Sequence, residues 1–109
     1  CSHHLSLGEK KRISLATVLS MEPEILVLDE PTSNLDPRAR RRLIELLNNL
    51  PLTKIVAGHD LELILEICQR VILFDKGRIA ADGATRNVLS DKSLMECHGL
   101  EVPLSLRYR

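Results

Sequence analysis

Ile25-Leu26-Val27-Leu28-Asp29-Glu30-Pro31-Thr32 (ILVLDEPT) is the stretch that decides the architecture. Glu22-Pro23-Glu24 stands before it as a breaker, and four apolar residues then run without interruption. A continuous apolar run of this length reads as a strand buried on both faces of a parallel sheet. The two acids fall at its carboxyl end, where open parallel sheets gather their chemistry. Successive strand side chains diverge, so one carboxylate suits a hydrated Mg²⁺ and the next a water beside it. Pro31 disfavours helical backbone at Glu30 and so restricts its direction. The plainer reading is a solvated turn, since apolar strands often end in acids.

Upstream lies LSLGEKKR, Leu5 to Arg12, followed by the apolar-rich ISLATVLSM, which reads as a helix. Lys10, Lys11 and Arg12 are then expected in its first turn, at the positive end of the macrodipole, where exposed cations cost about 0.3–1 kcal/mol each. Ser6-Leu7-Gly8-Glu9 fits a capping box with Ser6 as the N-cap. A Ser hydroxyl and free amides at a helix start also make an anion site. Both readings use the same unsatisfied N–H groups, and the two can coexist.

Downstream, Asp36-Pro37 opens a second helix as cap and first helical residue. Leu43, Leu46, Leu47 and Leu50 give it an apolar stripe, and Pro51 ends it. Thr53 to Ala57 is a second short strand, followed by Gly58-His59. His59 is either a hydrogen-bonded loop residue or a polar contact at the sheet edge. Asp60 caps a third helix whose Leu61, Ile64, Leu65 and Cys68 share a face. Val71 to Phe74 is another strand, Asp75-Lys76-Gly77-Arg78 a tight turn, and Arg78 to Ala81 its antiparallel return. A short helix over Ala84 to Leu89, one capped by Ser90-Asp91 and ending near Gly99, and an edge segment or tail complete the chain. Alternating strands and helices predict an α/β fold with a parallel sheet.

The 109 residues suffice for one domain with a core. Beginning at Cys1, with motifs in the first few residues, the sequence is expected to be a piece of a longer protein. Formal net charge is zero, which gives no argument for general attraction to nucleic acid or membrane surfaces. Arg38, Arg40, Arg41 and Arg42 form a local cluster that reads as a solvated or interface face. Cys1, Cys68 and Cys97 show no paired spacing, so reduced thiols are expected. His3, His4 and His98 with these thiols lack the spacing of a metal site. No apolar run exceeds four residues, too short to span a bilayer.

Taken in order, LSLGE, ILVLDEPTSNLD and a strand ending in His59 resemble the C-terminal part of an ABC-type ATPase domain. The resemblance covers the whole chain and is greatest to the ATPases of cobalt/nickel and energy-coupling-factor importers, through HHLSLGEKKR and the tail HGLEVPLSLR. It implies a P-loop NTPase-type parallel sheet with flanking helices, residues 1–90 belonging to the ATPase domain and 91–109 forming a C-terminal tail. It implies ATP and Mg²⁺ as cofactors. Leu5 to Glu9 is then the signature loop, whose Ser6 hydroxyl and Gly8 amide meet the γ-phosphate of ATP on the opposing subunit. Asp29 lies on the Mg²⁺ shell, Glu30 is the general base, Ser33 to Asp36 is the D-loop coupling two sites, and His59 contacts the γ-phosphate. The implied partners are a second ATPase subunit and a transmembrane permease, with no nucleic acid. The implied location is the cytoplasmic face of the cell membrane. The other reading is a degenerate or non-transport relative acting as a nucleotide-dependent interaction module.

Two departures stand out. No G-x-x-x-x-G-K-[ST] loop occurs in the sequence, so the phosphate cradle is missing and the chain alone is expected not to hydrolyse ATP. The family's LSGGQ is here LSLGE: Glu9 replaces Gln, and Leu7 puts a side chain where backbone approaches phosphate. Leu7→Gly in the full-length protein is expected to raise the ATPase rate; an unchanged or lower rate refutes that reading of Leu7.

Overall fold

A computed structural model describes residues 7–107, so Ser6 and the Cys1, His3 and His4 considered above lie outside the described residues. The chain divides into two compact units, Cys1–His59 and Asp60–Arg109.

The first unit contains α1 (Leu7–Leu19), β1 (Ile25–Asp29), α2 (Pro37–Asn49) and β2 (Thr53–Ala57). With Leu7 already in α1, Lys11 and Arg12 fall beyond the first turn, further from the positive end than the sequence suggests. β1 and β2 pair in parallel, Ile25 opposite Thr53 and Asp29 opposite Ala57. Asp36 caps α2 as expected: its side chain accepts the Ala39 N–H at 2.7 Å, and Pro37 occupies the first helical position. Leu43, Ile44 and Leu47 are the buried face of α2, with Ile44 and Leu47 wholly enclosed. Ile44 is adjacent to Leu43 rather than one turn on, because a core-facing helix buries a stripe wider than a single row.

The expectation that β1 is covered on both faces fails in this chain. Leu26 is 4% exposed, but Ile25 and Val27 are 56% and 68% exposed, and Ile55, the partner of Val27, is 54% exposed. Side chains alternate along a strand, so these three form one open apolar face.

The second unit contains α3 (Leu61–Ile67), β3 (Arg70–Asp75), β4 (Arg78–Ala84), α4 (Thr85–Leu89), α5 (Lys92–Cys97) and α6 (Leu104–Arg107). β3 and β4 form an antiparallel hairpin, and the return strand runs three residues past the expected Ala81. Lys76 and Gly77 both have positive φ, +53° and +75°, as a primed two-residue turn requires. Arg70 and Asp82 pair across the hairpin at 2.7–2.8 Å; that hydrogen bond lowers the Asp82 carboxyl below its usual range. Asp60 caps α3 and Asp91 caps α5 through the amides of Leu63 and Leu94. Gly99, at φ +73°, closes α5 in the left-handed conformation that ends many helices. The core gathers Ile64, Val88, Leu89 and Met95, with Leu61, Leu65 and Cys68 packed against it. Leu63, which the α3 pattern leaves off the core face, is also buried, at 1% exposure. His98 Nδ1 lies 2.5 Å from Asp75 Oδ2, tying the end of α5 to the end of β3. The last segment, expected as an edge segment or tail, contains a helical turn, α6; Ser105 donates its amide and hydroxyl to Glu62 of α3. No disulfide joins Cys68 and Cys97. No helix among the described residues is long and apolar enough to cross a membrane.

Leu47→Ala is expected to destabilise the protein by about 2–5 kcal/mol in urea denaturation, the cost of emptying a fully enclosed Leu site. A loss below about 1 kcal/mol refutes the packing of α2 described above.

Candidate active site

Glu30 is the first residue past β1. Its N–H donates to the Ala57 carbonyl at 2.8 Å, carrying the parallel ladder one step beyond the strand. Its backbone then turns to φ +47°. Pro31 was expected to steer Glu30 away from the right-handed helical region, and the outcome is left-handed backbone rather than extended. Left-handed backbone at a non-glycine residue costs about 1–2 kcal/mol and persists only where the surroundings enforce it. Here the Glu30 carbonyl accepts the Ser33 amide at 3.2 Å. Asn34, also left-handed at φ +61°, is a residue type that tolerates that region.

The turn delivers the Glu30 side chain across to the end of β2. Oε1 lies 2.8 Å from Nδ1 of His59. A carboxylate only accepts, so the Nδ1–H donates and the ring presents Nε2 as its second polar atom. The imidazole is 83% exposed and the Glu30 side chain 38%, so this pair contributes at most about 1 kcal/mol to stability. That does not offset the strain at Glu30; the backbone hydrogen bonds must. The pairing places a carboxylate and an imidazole together at an exposed sheet edge.

Gly58 lies close beneath that arrangement. A Cβ there would sit 3.1 Å from Glu30 Oε2 and 3.3 Å from its Cδ. The sequence reading passed over Gly58; its only signal was a glycine between an apolar strand and a histidine. Lys11 was likewise missed as an individual, being one of three clustered cations. Its ammonium donates to the carbonyls of Pro31 at 2.9 Å and Ser33 at 3.0 Å, within the loop that leaves Glu30.

The other expected site residues are placed as follows. Asp29 is exposed at the end of β1, opposite Ala57. No cluster of three or more metal-ligating side chains exists among the described residues. A single exposed carboxylate suits Mg²⁺, which keeps most of its waters and commonly takes one or two protein carboxylates plus phosphate. Gly8 is buried in the first turn of α1. The Asp36 side chain is engaged by its cap. Ser6 lies outside the described residues.

A family model described as "AAA domain, putative AbiEii toxin, Type IV TA system" matches residues 1–65. The chain is 61% identical over 96% of its length to a "Putative ABC transporter ATP-binding protein" of Gloeobacter violaceus, covering 43% of that protein. It is 44% identical over 96% of its length to "Energy-coupling factor transporter ATP-binding protein EcfA" of Carboxydothermus hydrogenoformans, covering 40% of it. Among solved structures, cbiO1 of Clostridium perfringens, titled as part of the ABC transporter complex cbiONQ, aligns with a TM-score of 0.72 at 37% identity. That alignment covers 87% of this chain and 39% of the other. The fold is α/β and like that of ABC ATPase domains. The chain belongs to the ABC transporter ATP-binding protein family and corresponds to the C-terminal part of its ATPase domain. It spans about two fifths of the length of these relatives.

Gly58→Ala is expected to move the Glu30 carboxylate by a few tenths of an ångström and lengthen its bond to His59. The His59 imidazole NMR signals should shift while amide signals elsewhere stay in place; unchanged imidazole signals refute the close approach.

Proposed function

We propose that this chain is the C-terminal part of the ATP-hydrolysing subunit of an ABC importer of the cobalt/nickel or energy-coupling-factor type. The observation that carries the catalytic reading is the 2.8 Å contact between Glu30 and His59 at the ends of adjacent parallel strands. The importer type is supported by the names of the energy-coupling-factor and cbiONQ relatives.

In this reading Glu30 orients and polarises the attacking water, help typically worth about 10²–10⁴-fold in rate. His59 hands its ring from Glu30 to the γ-phosphate when nucleotide is present. Either ring nitrogen can donate to a phosphate oxygen when it carries the proton. Asp29 would hold Mg²⁺, which when bound neutralises charge on the phosphates. The cradle for the β- and γ-phosphates comes from residues outside this sequence. Ser6 and Gly8 face nucleotide on a second ATPase subunit, with Asp36 in the segment that couples the two sites. The assembly works beneath a transmembrane permease at the cytoplasmic face of the membrane. Residues 1–90 belong to the ATPase domain and 91–109 to a C-terminal tail. The open face of Ile25, Val27 and Ile55 is where the remainder of the domain packs.

Glu30→Gln in the full-length subunit is the test. Turnover should fall by at least about 100-fold while ATP binding is retained. Wild-type turnover in that variant removes Glu30 from the mechanism. An absence of turnover in both proteins favours the second reading, a nucleotide-dependent interaction module, for which Leu7 in the signature is the supporting feature.

A further inference from the structure

We infer that Lys11 is a positioning residue for the general base, a role that rests on the proposed function of Glu30. Lys11 sits in α1, one turn past Gly8, and its ammonium reaches 19 to 22 residues along the chain. Its contacts are the carbonyls of Pro31 at 2.9 Å, Ser33 at 3.0 Å and Glu30 at 3.5 Å, with the Ser33 hydroxyl at 3.4 Å. The two short contacts are charge-assisted hydrogen bonds of normal length, and the two longer ones are electrostatic support.

The carbonyls of Glu30, Pro31 and Ser33 would not converge in extended chain. They converge because Glu30 is left-handed and the loop folds back on itself through the Ser33 amide. A convergent set of carbonyl oxygens is mutually repulsive, and a compact cation with three donors fits it. The left-handed turn creates the cluster of oxygens, and Lys11 makes that cluster tolerable. The consequence is a fixed Glu30 backbone, and hence a carboxylate aimed at the end of β2.

The same contact joins two parts of the site. α1 begins at the signature segment and its Lys11 grips the loop that carries Glu30 and leads to Asp36. A displacement of α1 along its axis is therefore transmitted to the base through three carbonyls.

The test is Lys11→Met in the full-length subunit, which keeps the side-chain length and removes every donor, beside Lys11→Arg and Glu30→Gln. Lys11→Met should lower kcat roughly 10- to 100-fold, the scale of a small misplacement of a catalytic group. Its KM for ATP should stay within about twofold, and Lys11→Arg should recover most of kcat. Unchanged kcat in Lys11→Met overturns the role, and so does a loss of kcat accompanied by a raised KM that Lys11→Arg does not restore. Loss of turnover in Glu30→Gln with a normal Lys11→Met rejects Lys11 alone. Normal turnover in Glu30→Gln rejects the catalytic reading on which it rests.

Discussion

The parallel pairing of β1 with β2 is the constraint on which the site depends. Its register sets Asp29 opposite Ala57, and the next step of the ladder is the Glu30 amide on the Ala57 carbonyl. From that point the two strands deliver Asp29-Glu30 and Gly58-His59 to one edge. A slip of one residue would send Glu30 to the opposite face and leave His59 without a partner. Neither residue needs a long loop to reach the other, so the geometry follows from strand register and one turn. The ordering cost of the site is thus carried by the sheet, which must order anyway for the unit to fold.

The turn at Glu30 shows where strain is admitted and how it is held. A left-handed glutamate is unfavourable in isolation, and the exposed contact with His59 is too weak to impose it. The hydrogen bonds that do impose it run through backbone: the Glu30 amide to β2, the Glu30 carbonyl to Ser33, and the loop carbonyls to Lys11. The Glu30 backbone is thus held by bonds that do not involve the imidazole. Under the proposed function, that separation would let the histidine exchange partners without freeing the turn that carries Glu30.

Much of this was readable in the sequence, and the reasons are local. Asp36-Pro37, Asp60 and Asp91 announce helix starts because a capping carboxylate acts within three residues of itself. The apolar runs at Ile25–Leu28 and Val71–Phe74 announce strands, and Lys76-Gly77 a turn, for equally short-range reasons. The sequence placed Glu30 and His59 at two strand ends, but their direct contact was not legible, since the two stand 29 residues apart. Gly58 and Lys11 were not legible. One works by the absence of a Cβ beside a distant carboxylate, the other through carbonyls that carry no side-chain signature. Nor did the pattern identify Ile44 and Leu63 as buried, because burial there depends on which neighbouring surface closes over the helix. α6 was missed because its hold on Glu62 comes from a serine more than 40 residues away.

The open face of β1 and β2 bears on how the site is held. Ile25, Val27 and Ile55 are 56%, 68% and 54% exposed, so enclosing what remains open is worth roughly 3–5 kcal/mol, a large share of the stability of a small domain. A strand written as apolar on both faces is written for two layers, and in this chain one is present. A second layer against Val27, two residues before Asp29, would also restrain the end of the strand from which both acids project. Under the proposed function the remainder of the ATPase domain supplies that layer together with the phosphate cradle. Closing the core and completing the nucleotide site are then one event, because both depend on the same strand being fixed from its second side.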